Sequence, residues 1–221
     1  NRKNFAYNVD KSRTHLNITY AKNDINVMYD KLFDVAWSEY CAKQPPSRQR
    51  ELEPSYLKHM LNLKNRQKPF YEVVAQVGNC YTCGVGLPGE KIAVKILDEY
   101  AKDFEKRNPH LKVLNMVMHR DEDTPHLHID YIPVGDGYTE GMQKRNSIYR
   151  ALEQQGIPGD KTKANSKINN WYNSEKAAIA VIMGKYGWEP EVDSGLHLKH
   201  KSVETYKTIT AIVANEVSQL P

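Results

Sequence analysis

The chain is short of cysteine, of net charge and of long apolar runs, and each shortage excludes a class of protein. Three cysteines in 221 residues, Cys41, Cys80 and Cys83, cannot build a disulfide framework, and such sparing use fits a reducing cytoplasm. No apolar run approaches the roughly 20 residues of a membrane span, and no signal-peptide pattern opens the chain, so no membrane partner is expected. A net charge of only +4 permits a nucleic-acid partner without demanding one, because phosphate affinity depends on local clustering of basic side chains. Internal repeats and low-complexity tracts are also missing. What remains, 40% hydrophobic and 26% charged, is enough for one substantial core, and one domain with insertions over residues 1–221 is expected.

Periodicity supplies the elements. Leu16, Ile18 and Tyr20 alternate with His15, Asn17 and Thr19, which predicts a strand over 13–21, with His15 a surface or supporting histidine. Asn23-Asp24 is placed to cap a helix running to about Lys43, with Met28, Tyr29, Leu32, Phe33, Ala36 and Trp37 on its inner stripe. Pro45-Pro46 stops it. A second helix carries Tyr56, Leu57, Met60 and Leu61. Residues 70–77 read as a strand, and Cys80-Tyr81-Thr82-Cys83 as a loop, since a closed zinc site wants four ligands and no second pair exists. A helix follows over 88–108. After the turn at Gly135-Asp136-Gly137, helices are expected over 147–155, 167–186 and 202–219. Strand, helix, strand, helix and hairpin together predict an α+β fold, an antiparallel sheet with packed helices and a helical C-terminal part.

The chemistry concentrates at Met118-His119-Arg120-Asp121-Glu122-Asp123-Thr124-Pro125-His126-Leu127-His128. His126 and His128 are two apart, so on a strand both imidazoles share a face. His119 ends the preceding apolar run, and 120–125 is a polar, proline-containing turn. An antiparallel hairpin then gathers three imidazoles around one point, with Asp121, Glu122 and Asp123 on the connection. Three neutral imidazoles with open positions suit a divalent metal, and adjacent carboxylates orient a ligand or move a proton. A lone histidine on a strand is usually packing or surface; three on one hairpin are not so easily explained.

This stretch resembles the His-x-Asp-Glu-x-x-Pro-His-x-His motif of the Mob/Pre relaxases, HUH endonucleases that nick DNA for plasmid mobilisation. Asp10 to Asn17 resembles a family segment of the form Arg-Ser/Thr-His-Leu-Asn, and Lys199-His200-Lys201-Ser202 a Lys-His-Lys-Thr/Ser segment. The resemblance implies the HUH-type antiparallel sheet. It implies that His119, His126 and His128 hold Mn²⁺ or Mg²⁺ and that Glu122 serves the nucleophile. It also implies action on single-stranded DNA at a transfer origin, with an adjacent hairpin, in the bacterial cytoplasm, and a homodimer made through a region outside this chain. The family's nucleophile is associated with a His in an amino-terminal His-x-x-Arg motif. Asn1-Arg2 matches the end of that motif, so Arg2 is carried over and the His is expected upstream of a trimmed terminus. Tyr7 and Tyr20 are the fallback nucleophiles. Arg13, Lys163, Lys199 and Lys201 are the expected phosphate contacts, with Trp171 and Tyr172 as candidate stacking platforms. The alternatives are a metal-dependent hydrolase that activates water, and a non-catalytic DNA-binding module with a structural zinc.

Overall fold

In a computed structural model, residues 9–49, 52–62, 67–160, 162 and 165–190 are described, and all but Pro190 belong to one compact unit ending at Glu189. Arg2, Tyr7, Lys163, Lys199, Lys201 and the helix expected over 202–219 lie outside the described residues.

The elements run β1 (Ile18–Lys22), α1 (Ile25–Ala42), α2 (Pro46–Gln49), α3 (Tyr56–Asn62), β2 (Tyr71–Gln76), α4 (Pro88–Lys102), α5 (Phe104–Arg107), β3 (Leu111–His119), β4 (His126–Gly135), β5 (Arg145–Asn146), α6 (Ile148–Gln154) and α7 (Lys167–Lys185). Every strand pair is antiparallel, in the order β1-β3-β4-β2, with the short β5 also pairing to β4. The expected α+β layout is what the chain adopts.

Helix α1 starts where the sequence places it: the Asp24 carboxylate accepts hydrogen bonds from the N–H groups of Asn26 and Val27, satisfying two orphan donors of the first turn. Its stripe buries Tyr29, Phe33 and Trp37. Two expectations are corrected. The strand expected from Arg13 begins only at Ile18; Arg13 to Asn17 instead contains a single 3₁₀ turn. Just upstream, Asp10 accepts from the Ser12 N–H and hydroxyl, a local pairing that favours a turn leading into the 3₁₀ segment. The helix expected over 88–108 is broken at Asp103, where φ and ψ of −99° and 0° separate α4 from α5.

One core lies between the sheet and α4, α6 and α7, and contains Ile96, Leu97, Tyr100, Met116, Met118, Leu127, Ile129 and Trp171. The opposite face has its own cluster, in which Tyr29, Phe33, Trp37, Tyr56, Leu57 and Met60 of α1 and α3 cover Leu114, Ile132 and Val134. That second layer covers only the far half of the face. Among the described residues that cluster does not reach the half nearest the β3–β4 turn, where His119, His126 and His128 lie partly exposed.

Candidate metal and nucleic-acid site

The register of the hairpin does the gathering. His119 stands directly opposite His126, and His128 opposite Val117; on the other side of β4, β2 places Gln76 beside His126 and Val74 beside His128. The three ring centroids form a nearly regular triangle with sides of 5.4, 5.2 and 5.0 Å. His119 reaches the open face only because β3 is irregular between Val113 and Asn115. Leu114 and Asn115 both lie on that face at this bulge, which reverses the alternation of the residues that follow.

Each imidazole has an acceptor beside its Nδ1. The Thr124 carbonyl lies 2.9 Å from His126 Nδ1, the Glu72 carboxylate 2.6 Å from His128 Nδ1, and Asp121 Oδ1 3.5 Å from His119 Nδ1. A carbonyl or carboxylate has no proton to give, so the first two rings donate from Nδ1, and a neutral ring in that tautomer keeps its Nε2 lone pair free. Ligand atoms of His119, Asp121 and Glu122 lie within 4.8 Å of one another, and Glu122 Oε2 is 3.9 Å from His126 Nε2. Asp121 Oδ1 is buried with no described partner nearer than His119 Nδ1 at 3.5 Å, an under-satisfied anionic oxygen of the kind that a cation would satisfy. Imidazole nitrogens with hard carboxylate oxygens fit Mn²⁺ or Mg²⁺ better than a closed thiolate zinc site. The cleft of about 270 Å³ at this point is lined by Val74, Gln76, Glu122, Asp123, Thr124, His126 and His128.

The segment 10–17 holds the acidic turn from behind. The Asp10 N–H donates to the Asp121 carbonyl, the Arg120 N–H to Asn17 Oδ1, and Arg13 Nε to the Arg120 carbonyl. Burial pushes the Asp121 carboxyl up, but hydrogen bonds from Thr14 and Asn17, its own N–H and His119 outweigh it and hold the group ionised below its ordinary range. Arg13, an expected phosphate contact, is therefore engaged internally, and its guanidinium also pairs with Glu90. Tyr20, a fallback nucleophile, donates its hydroxyl to Asp98 at 2.9 Å. Burial first, then that carboxylate, push the phenol far above its ordinary value, the wrong direction for a nucleophile. Trp171 is corrected as a stacking candidate: it is fully buried, its indole N–H bonded to Asn108. Tyr172 remains partly exposed. His15 is exposed, as expected, and Cys80 and Cys83 join no cluster of metal-ligand spacing among the described residues.

Glu90 secures the same turn. Burial raises its carboxyl, while the Gly86 N–H and the guanidinium groups of Arg13 and Arg120 together pull it below the ordinary 4.5. Gly86 supplies that N–H from a positive φ of 83°, a conformation glycine adopts without strain. A carboxylate with a depressed folded-state pKa contributes stability above its unfolded pKa and loses it as pH falls through the folded value. Glu90→Gln is expected to cost about 2–3 kcal/mol at neutral pH. The gap to the parent should close as pH drops below 4.5, in urea titrations run at neutral and acidic pH.

A groove larger than this cleft, about 780 Å³, is lined by Tyr138, Tyr149, Arg150, Glu153 and Lys167 among others. Arg150 is bonded to Glu153 and Lys167 to the Gly159 carbonyl, and no motif histidine lines it.

The family model described as plasmid recombination enzyme, Mob_Pre, matches residues 2–155, well over half of the chain. The chain belongs to the Mob_Pre family. The matched residues include the histidine hairpin and the 10–17 segment that braces it. No curated protein matches the chain. Among solved structures, it is similar to the MobM relaxase domain (MOBV; Mob_Pre) bound to plasmid pMV158 oriT DNA, in a Mn-bound crystal structure at pH 6.8. Identity is 18%, over 95% of this chain and 86% of that one, with a TM-score of 0.47. A second MobM structure, at pH 5.5, is 16% identical over 92% and 85%, with a TM-score of 0.45. Sequence reasoning on this Mob_Pre chain missed Glu72, Glu90 and Arg120, all of which act through pairings made far apart along the chain.

Proposed function

We propose that this chain is the endonuclease domain of a relaxase, which nicks one DNA strand at a plasmid or mobile-element transfer origin and so starts conjugative mobilisation. The observation that carries the reading is the hairpin of a Mob_Pre chain presenting three imidazoles and Glu122 on an accessible sheet face. His119, His126 and His128 would hold Mn²⁺ or Mg²⁺, with Asp121 and Glu122 as neighbouring carboxylates. Bound there, a divalent cation supplies Lewis acidity to the non-bridging oxygens of the phosphate.

The remaining work falls to the chain. Glu122, on the turn with a partly exposed carboxylate, accepts the proton of the attacking group as that group bonds to phosphorus and the deoxyribose oxygen leaves. The exposed row Glu72, Val74 and Gln76 on β2 walls one side of the strand's path. Lys163, Lys199 and Lys201 are assigned to the phosphates, and Arg2 to the catalytic motif. Among the described residues no helix is long and apolar enough to cross a membrane.

The test compares the chain of residues 1–221 with one extended by any coding sequence upstream of Asn1. Each is incubated with Mn²⁺ and a labelled single strand bearing the element's origin. Cleavage with a covalent protein–DNA adduct by at least one of the two is the expected result. Multiple turnover without an adduct would replace the relaxase by a water-activating hydrolase. Absence of cleavage with tight zinc retention would replace it by a binding module.

A further inference from the structure

We infer that Glu72 is a positioning residue for His128, and that the edge strand β2 thereby sets how well the site holds its metal. The inference rests on the reading that the three imidazoles are metal ligands.

Glu72 lies on β2 opposite Asp130, and Val74, two residues on, lies opposite His128. Glu72 and His128 are therefore diagonal neighbours on one face of an antiparallel pair, a relation within reach of long side chains. The reach is made: Glu72 Oε1 is 2.6 Å from His128 Nδ1. The other two histidines take their acceptors from their own hairpin, the Thr124 carbonyl for His126 and Asp121 for His119. His128 alone is oriented by a side chain from a different part of the chain, 56 residues away in sequence. Its ring is about a third exposed, and its other partner on β2, Val74, offers no hydrogen bond. Glu72 is the group bonded to Nδ1, which selects the Nδ1–H tautomer and the ring rotation that leaves Nε2 for a cation, while Asp130, the next carboxylate on that face, interacts with both groups without a hydrogen bond to His128 among those described. An anionic acceptor at Nδ1 also strengthens Nε2 as a donor, the usual role of a carboxylate behind a metal-bound imidazole. Glu72 itself is half exposed and makes no core contact whose loss would unfold the sheet.

The experiment measures Mn²⁺ affinity by calorimetry on the parent, Glu72→Ala, Glu72→Gln and His128→Ala proteins, with imidazole nitrogen resonances recorded on the metal-free forms. Glu72→Ala is expected to weaken Mn²⁺ binding by about 10–100-fold. His128 should then lose its single Nδ1–H tautomer while the metal-free melting temperature stays put. Glu72→Gln should fall between, since its amide oxygen still accepts from Nδ1 but carries no charge. An unchanged affinity and an unchanged His128 tautomer in Glu72→Ala, with binding lost in His128→Ala, would overturn the role of Glu72 and leave the metal site standing. A parent protein that binds no Mn²⁺ would overturn both.

Discussion

His126→Ala is expected to reduce Mn²⁺-dependent cleavage of an origin strand by about 10²–10³-fold, because a lost cation forfeits several kcal/mol of charge stabilisation at roughly 1.4 kcal/mol per tenfold. His126 is the member of the triad best placed to produce so large a loss. It sits between His119 on β3 and Gln76 on β2, its Nδ1 is bonded to the Thr124 carbonyl, and its Nε2 faces Glu122 at 3.9 Å. Alanine there would remove one of the proposed ligands and also the neighbour against which Glu122 is arranged. The fold should survive, because the core beneath is made by Met118, Leu127 and Ile129 on the other face. The measurement is single-turnover cleavage of a labelled strand at saturating Mn²⁺, beside far-ultraviolet dichroism. A loss below tenfold in a folded variant would mean that the imidazoles are not the cation's principal ligands.

The second large effect is on stability. Glu175 on α7 is buried and accepts hydrogen bonds from the Tyr100 hydroxyl at 2.6 Å, Arg107 Nη2 at 3.1 Å and Asn108 Nδ2 at 3.0 Å. Asn108 Oδ1 in turn accepts from Trp171 and Gln155, so one carboxylate links α4, α5 and α7 and, through Gln155, the end of α6. Removing one partner of a buried ion pair leaves the other charge unmatched, and here a hydroxyl and an amide lose their acceptor too. Glu175→Ala is expected to destabilise by about 3–5 kcal/mol, which for a domain of this size lowers the melting temperature by roughly 6–20 °C. Glu175→Gln should lose less, because an oxygen acceptor remains. Urea unfolding followed by tryptophan fluorescence reads the difference; a change under about 1 kcal/mol would show the network to be dispensable.

These two residues were unequally visible in the sequence, and the contrast is physical. His126 and His128 announce themselves because a strand has a period of two: wherever the strand lies, the two rings must share a face. The acidic turn, the Asp24 cap and the Tyr29–Phe33–Trp37 stripe are legible for the same reason, since each depends on spacing within one element. Glu175 looks like any exposed glutamate on a helix until Tyr100, Arg107 and Asn108 are brought to it from at least 67 residues away. Arg13 reads as a surface cation until Glu90 and the Arg120 carbonyl are seen to occupy it.

His119 shows where the division falls most sharply. The run Leu111-Lys112-Val113-Leu114-Asn115-Met116-Val117-Met118-His119, read as an unbroken strand, puts His119 on the face of Leu111 and Val113, which is buried. The irregularity between Val113 and Asn115 moves it to the face of His126 and His128. The sequence by itself determined the antiparallel α+β character, the hairpin, the identity of the three imidazoles and the carboxylates between them, because these follow from local period and chemistry. Only the tertiary structure decided that the three rings gather on one sheet face with His126 and His128 lining a cleft, that Glu72 stands behind His128, and that the α1 and α3 cluster does not include them. A bulge, a diagonal cross-strand contact and the extent of a packed layer arise from pairings between distant segments, which no local spacing encodes.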